Sequence, residues 1–252
     1  MIQIALGAGF AAIVALLAYR ARALSGDGAL AAFLVGSIVF GAGGWPGAAI
    51  LFAFFIPSVL LSRIGRSRKS AGVHAAPRNG RQVLANGGVA AICALALRGG
   101  APAAAAFAGA FAAASADTWG TEIGMLARGA PVSILTFRRV ARGLSGGITP
   151  LGIAATIAGA LCVAVVAALL RFAPLWSVAL GGAAGALLDS ILGASLQALR
   201  WCPACGCESE TRLHSCGGST VLRRGFGWIE NDAVNFAATL CGALVAALVA
   251  SV

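Results

Sequence analysis

Residues 148–171 run for six helical turns with no charged side chain before Arg171, and residues 175–197 carry a single one, Asp189. Crossing the hydrocarbon core of a bilayer as a helix takes about 17–25 such residues, and the sequence offers about eight stretches of this character at 2–19, 29–41, 46–62, 83–98, 102–118, 148–171, 175–197 and 230–251. Segment 2–19 has the length of a signal peptide's apolar region, but no basic residue precedes it and Arg20 and Arg22 follow it, so it reads as a retained first span. A chain that is 60% hydrophobic and 10% charged, with mean hydropathy +0.92, excludes a soluble globular fold. The expected fold is all-α: a polytopic membrane protein of about eight transmembrane helices. Residues 1–252 form one transmembrane domain, with cytoplasmic loops carrying the site and a loop insertion at 198–229.

The net charge of +10 raises nucleic acid as a partner, and position decides against it. With eight alternating spans, only Arg98 and Arg171 of the 18 Lys and Arg fall on one side, and the rest, including Arg66, Arg68 and Lys69, gather on the other. That asymmetry marks the basic side as cytoplasmic and puts both termini outside the cytoplasm, in a cell (inner) membrane.

The carboxylates follow the same side. Asp27 opens the second stretch, Asp117 and Glu122 close the fifth, Asp189 lies in the inner half of the seventh, and Glu230 and Asp232 open the eighth, leaving Glu208 and Glu210 in an ordinary loop. An acid at membrane depth costs about 2.5–3.5 kcal/mol on the insertion scale, so it faces a cavity, a partner or a metal. Several segments are therefore expected to aim acids at one shared vestibule. In the seventh stretch Gly181, Gly185, Asp189, Gly193 and Gln197 recur every four residues, as if glycine cleared a groove around the acid. The same spacing also suits helix-packing notches. Asn231, Asn235 and Thr239 form a polar stripe beside Asp232, and Gln82 and Asn86 form another, with Arg78 and Arg81 just outside. Asp117 and Glu122 stand about 140° apart on an ideal helix, so their convergence requires a break near Gly120. Buried acids also serve as structural partners of arginines, the competing reading for each of them.

"RRVARGLSGGITPLG" places Arg139 and Arg142 ahead of Ser145, Gly146 and Gly147 and a helix start at about Ile148. Glycine-rich backbone entering a helix N-terminus cradles phosphate oxygens, and arginines add charge-assisted bonds. Carboxylates together with phosphate oxygens are the usual environment of Mg²⁺. In the last loop, Cys202 and Cys205 form a C-x-x-C knuckle, and His214 and Cys216 supply an H-x-C pair, a tetrahedral ligand set for structural Zn²⁺ with Cys207 as a competitor.

The stretches "RQVLANGG", "SADTWGTEIG", "GLSGGITPLG", "GALLDSILGASLQ" and "WIENDAVNF" together resemble an integral-membrane family, long catalogued without a function, that includes the plant chloroplast phytyl-phosphate kinase of the vitamin E pathway. More distantly they are similar to dolichol and phytol kinases and to phosphatidate cytidylyltransferases. The resemblance implies transfer of the γ-phosphate of a nucleoside triphosphate, CTP in the plant case, to an isoprenyl monophosphate. On that reading Asp117, Glu122 and Asp189 hold Mg²⁺, Asp232 joins them as a catalytic acid, and Arg81, Arg139 and Arg142 neutralise phosphates. Asn86, Thr118, Ser145, Gly146, Gly147, Ser190, Gln197, Asn231 and Asn235 complete the substrate and nucleotide contacts. The partners are a prenyl-phosphate lipid and a nucleotide. The alternatives are a polyprenyl-phosphate transporter or flippase and a CTP-dependent lipid cytidylyltransferase.

Overall fold

The computed structural model describes residues 2–64 and 77–252, so Arg66, Arg68 and Lys69 of the basic set lie outside the described residues. Among the described residues seven α-helices carry the fold: α1 (Ile2–Arg20), α2 (Gly26–Ile64), α3 (Gly80–Leu95), α4 (Ala101–Gly124), α5 (Pro150–Leu169), α6 (Leu175–Ser195) and α7 (Asn231–Ala250). Their starts are written in the sequence. Asn79 and Gln82 form a reciprocal capping box at α3, with each side chain bonding the other's backbone amide. Thr149 Oγ1 accepts the Gly152 amide at the head of α5, with Pro150 in the first turn.

α2 doubles back. A straight helix of 39 residues would be about 58 Å long, yet Ser25 before its start donates to the Arg78 carbonyl at 3.1 Å and Ser62 near its end accepts from Arg78 Nη2 at 3.3 Å. The reversal sits at Gly44, with φ 59° and ψ −153°, a backbone state that only glycine enters cheaply. Phe40 and Trp45 meet edge-on across the bend, and Gln3 of α1 donates to the Phe40 and Gly41 carbonyls. The expected stretches 29–41 and 46–62 are thus the two limbs of one element.

Four helices, not eight, are long and apolar enough to cross a membrane among the described residues: Gly26–Arg63, Pro150–Leu169, Leu175–Ser195 and Asn231–Ala250. The physical reasons differ. α3 has only 16 residues, with Gln82 and Asn86 among them. α4 is long, but Ser115, Asp117 and Thr118 hold its hydropathy down, and it faces protein. It is the central helix, packed against α2, α3, α5, α6 and α7, with residues 104–105 and 107–116 buried. Phe107 and Phe111 fill its core face against Phe54 and Phe172.

The glycines of α6 turn out to be packing notches and not a groove. A Cβ on Gly181 would stand 2.5 Å from the Gly242 carbonyl oxygen of α7, and one on Gly185 would stand 2.5 Å from Ala113 Cβ of α4. Small residues let three backbones approach where lipid offers no hydrophobic drive for helix association. The all-α expectation holds for the bundle only. Among the described residues two small antiparallel sheets occupy the loops: β1 (Val132–Ser133) with β2 (Gly147–Ile148), and a three-stranded sheet in the last loop in the order β4 (Cys207–Ser209), β3 (Leu199–Cys202), β5 (Val221–Arg224). The ends at Arg20, Gly26, Ser62, Gly80, Gly124, Pro150, Ser195 and Asn231 converge at one end of the bundle, which holds the site.

Candidate functional site

A polar cavity of about 930 Å³ opens at that end. Its walls include Asn86, Asp117, Thr118, Glu122, Arg142, Ser145, Gly146, Gly147, Asp189, Ser190, Asn231 and Asn235, residues the sequence pattern singled out on four helices and one loop. Four others do not line it. Arg81 is exposed, and its charge acts on Asp232. Arg139 is exposed on the β1–β2 hairpin, its backbone bridged to Val132. Gln197 is buried behind the wall, and Asp232 stands outside it at the head of α7.

The acids are fewer at the vestibule than expected. Asp27 caps α3 instead, its Oδ2 accepting the Gly80 amide at 2.9 Å and its Oδ1 the Ser25 hydroxyl. Glu230 pairs with Arg212 at 2.8 Å in the loop. Asp117 from α4 and Asp189 from α6 remain, and their carboxyls meet in side-chain hydrogen-bonding contact across the two helices. Asp189 is 8% exposed, and its Oδ2 has no hydrogen-bond partner in the protein. Glu122 follows on α4 toward Arg78. α4 is continuous through Gly120, contrary to the expected break. Gly120 is a contact point: its Cβ would collide with Thr156 of α5, so α4 and α5 touch there and the cavity wraps around the α4 terminus to reach both acids.

Glu210 is the acid that sequence reasoning left in an ordinary loop. It lines the cavity, and the GLSGG loop is fastened to it: the Ser145 amide donates to Oε1 at 2.6 Å, and the Ser145 hydroxyl and Gln197 Nε2 donate to Oε2 at 3.0 Å each. Burial pushes its carboxyl above the usual range, while those donors and the Arg224 charge oppose the shift. The Ser145 amide is therefore committed, and the Gly147 amide donates to the Leu144 carbonyl. Gly146, at φ 76°, lies on α6, where its Cβ would meet Ala194. The loop is a strap seated on α6, not an open cradle of amides. Arg142 is likewise occupied, donating to the Met125, Ala127 and Gly129 carbonyls just past the end of α4. No sequence signal pointed to Glu210, 65 positions from Ser145. Arg78 was visible beside the Gln82–Asn86 pair. It lines the cavity with Arg22 and Arg63 and lies near Glu122, and burial pulls its guanidinium below its ordinary value while Glu122 opposes.

In the last loop Cys202, Cys205, His214 and Cys216 bring one donor atom each within 4.8 Å of one another, the one such group of three or more among the described residues. Asp117, Glu122 and Asp189 accordingly do not form a three-acid cluster of that kind. Cys202 Sγ and Cys216 Sγ are 3.7 Å apart, the edge of a tetrahedron whose metal–sulfur bonds are about 2.3 Å. His214 turns Nδ1 to Cys216 at 3.2 Å and Nε2 to Cys207 at 3.5 Å. Cys207 thus partners the far side of the imidazole and stands outside the donor set. The hydrogen bond from His214 pulls the Cys216 thiol down to about 6, near its metal-binding thiolate form.

A helical bundle with several apolar spans and an acid-lined polar cavity at one end defines a multi-pass integral membrane protein. The chain belongs to the family described as integral membrane protein DUF92, which matches residues 9–243. It is 30% identical to Protein PGR of Arabidopsis thaliana over 90% of this chain and 89% of that protein. It is also 30% identical to an uncharacterized membrane protein of Methanocaldococcus jannaschii over 94% and 90%, and 27% identical to one of Synechocystis sp. over 85% and 78%. No solved structure matches it.

Proposed function

We propose that this chain is a membrane kinase that transfers the γ-phosphate of a nucleoside triphosphate, CTP first among the candidates, to an isoprenyl monophosphate at the cytoplasmic leaflet. The observation that carries the reading is the pairing of Asp117 and Asp189 from two packed helices on the wall of a large polar cavity rimmed by Arg22, Arg63 and Arg78. A carboxylate pair in which Asp189 is buried with an unpartnered oxygen is costly unless a cation or proton shares it, and these donors fit a hard divalent cation such as Mg²⁺. Such an ion, when bound, supplies the charge that offsets phosphate repulsion during transfer. The protein's own part is positional. Asp117 and Asp189 fix the acidic wall, Thr118, Ser190, Asn231 and Asn235 offer neutral hydrogen-bonding groups, and the arginines draw phosphates to the rim. A phosphate monoester has a second pKa of about 6, so the acceptor is already a dianion at neutral pH and needs no strong base to attack phosphorus.

Purified protein incubated with Mg²⁺, CTP labelled at the γ-phosphate or in the nucleoside, and a panel of prenyl monophosphates and alcohols tests the assignment. The expected product is a prenyl diphosphate carrying only the γ-label. Nucleoside label in the lipid would make the protein a cytidylyltransferase, and the absence of any product would favour transport.

A further inference from the structure

A slim apolar groove runs between α1, both limbs of α2 and α3, walled by Phe10, Ala15, Ala32, Val35, Phe52 and Val83. Its inner mouth is polar, because Arg78, Gln82 and Asn86 line both this groove and the 930 Å³ cavity. An apolar channel and a charged chamber therefore meet at one arginine. The channel's wall on α1 extends from Phe10 to Ala18, about 12 Å along the helix. Its volume, about 90 Å³ against about 930 Å³, admits part of a single hydrocarbon chain, with the rest of a long tail lying in the surrounding lipid.

We infer that this groove holds the hydrocarbon tail of a single-chain lipid phosphate whose headgroup lies beside Arg78 in the polar cavity. The inference rests on reading the cavity as a phosphate site. The guanidinium at the mouth complements a phosphate, Gln82 and Asn86 offer it neutral hydrogen bonds, and the wall beyond carries only apolar side chains. Alanines at 15, 18 and 32 leave the channel open where a larger side chain would close it. Chain length then becomes a determinant of affinity through packing along the groove walls, since a tail that leaves lipid or detergent gains no transfer energy from water.

The test compares the binding of geranylgeranyl monophosphate and dimethylallyl monophosphate to the purified full chain, wild type against Ala32→Phe and Arg78→Gln. Crosslinking with a diazirine-bearing geranylgeranyl monophosphate maps the tail in the wild type. Ala32→Phe should weaken the long ligand at least tenfold and leave the short one unchanged, Arg78→Gln should weaken both, and crosslinks should fall on α1 and α2. Unchanged binding of the long ligand by Ala32→Phe, or crosslinks elsewhere, overturns the groove even if the kinase activity stands. Failure of the wild type to bind either phosphate overturns the phosphate reading and the groove with it. Geranylgeraniol binding as tightly as its phosphate overturns the headgroup placement. A photoreactive phosphatidylcholine that labels the groove and displaces the prenyl phosphate overturns the single-chain assignment. If Ala32→Phe melts early, Val83→Phe replaces it, and the wild-type crosslinks decide independently.

Discussion

Asp117 and Asp189 are close enough to share a proton or a cation, and the two possibilities respond differently to a neutral isostere. If the pair holds a divalent ion against the transferring phosphate, Asp117→Asn or Asp189→Asn removes charge at the reacting centre and leaves the shape intact. Each variant should insert and melt as the wild type does while losing turnover by ~10² or more, roughly 3 kcal/mol. If the acids instead balance buried arginines structurally, neutralising one leaves its partner uncompensated at about 3–5 kcal/mol, and thermal stability should fall. Steady-state kinetics with a melting curve separate the two, and full activity in both stable variants removes the acids from the mechanism. These two residues were legible from sequence because a charge inside an apolar run demands a reason. Asp27 obeyed the same rule and went elsewhere: its reason is a helix cap, and an acid one residue inside a helix start satisfies amides as readily as a ligand. Glu210 was illegible because its meaning lies wholly in Ser145 and Gln197, which tertiary folding brings to it.

At the scale of elements, the last loop does more than connect α6 to α7. β3 carries Cys202, the strand pair β3–β4 positions Cys207 behind His214, and Glu210 follows directly on β4 to hold the Ser145 strap. Arg224 on β5 donates to the Gly193 carbonyl near the end of α6, so the sheet is fixed to the bundle as well. We propose that Zn²⁺ at Cys202, Cys205, His214 and Cys216 stiffens this sheet and, through it, the cavity wall. Metal analysis should return about one zinc per chain, lost in a Cys202→Ser, Cys205→Ser double variant and retained in Cys207→Ser. Protease sensitivity should rise between Cys202 and Arg224 in the double variant, and undiminished zinc there would disprove the site. The knuckle was legible because ligand spacing is local. The sheet was not, since strands of three or four residues carry too little alternation to read, and the strap role of "GLSGG" was hidden because glycine serves equally for an anion cradle and for close contact with a helix.

For the molecule as a whole, the helix ends that build the cavity all belong to the side on which the basic residues collect. The apolar pattern gave the helical stretches, and charge asymmetry gave their grouping. What hydropathy overstated was the number of spans, because α4 is apolar for burial in protein and α3 is short, while Gly44 folds two expected stretches into one element. The grouping has a checkable consequence. Arg138 and Arg223 are exposed near the cavity end, whereas Trp45 lies at the Gly44 bend and Leu169 at the α5–α6 turn on the opposite end, both also exposed. Single cysteines at these four positions, in a background with the native cysteines outside the metal set replaced, should divide two and two when intact cells are treated with a membrane-impermeant maleimide. If the positive-inside rule orients the bundle, Trp45→Cys and Leu169→Cys are labelled from outside, and Arg138→Cys and Arg223→Cys only after permeabilisation. The reverse result would turn the cavity outward, away from the nucleoside triphosphates of the cytoplasm, and would exclude the kinase reading while preserving the shared cavity. A mixed result, with Arg138→Cys and Arg223→Cys on different sides, would contradict the arrangement in which the β1–β2 loop and the last loop meet at Ser145 and Glu210.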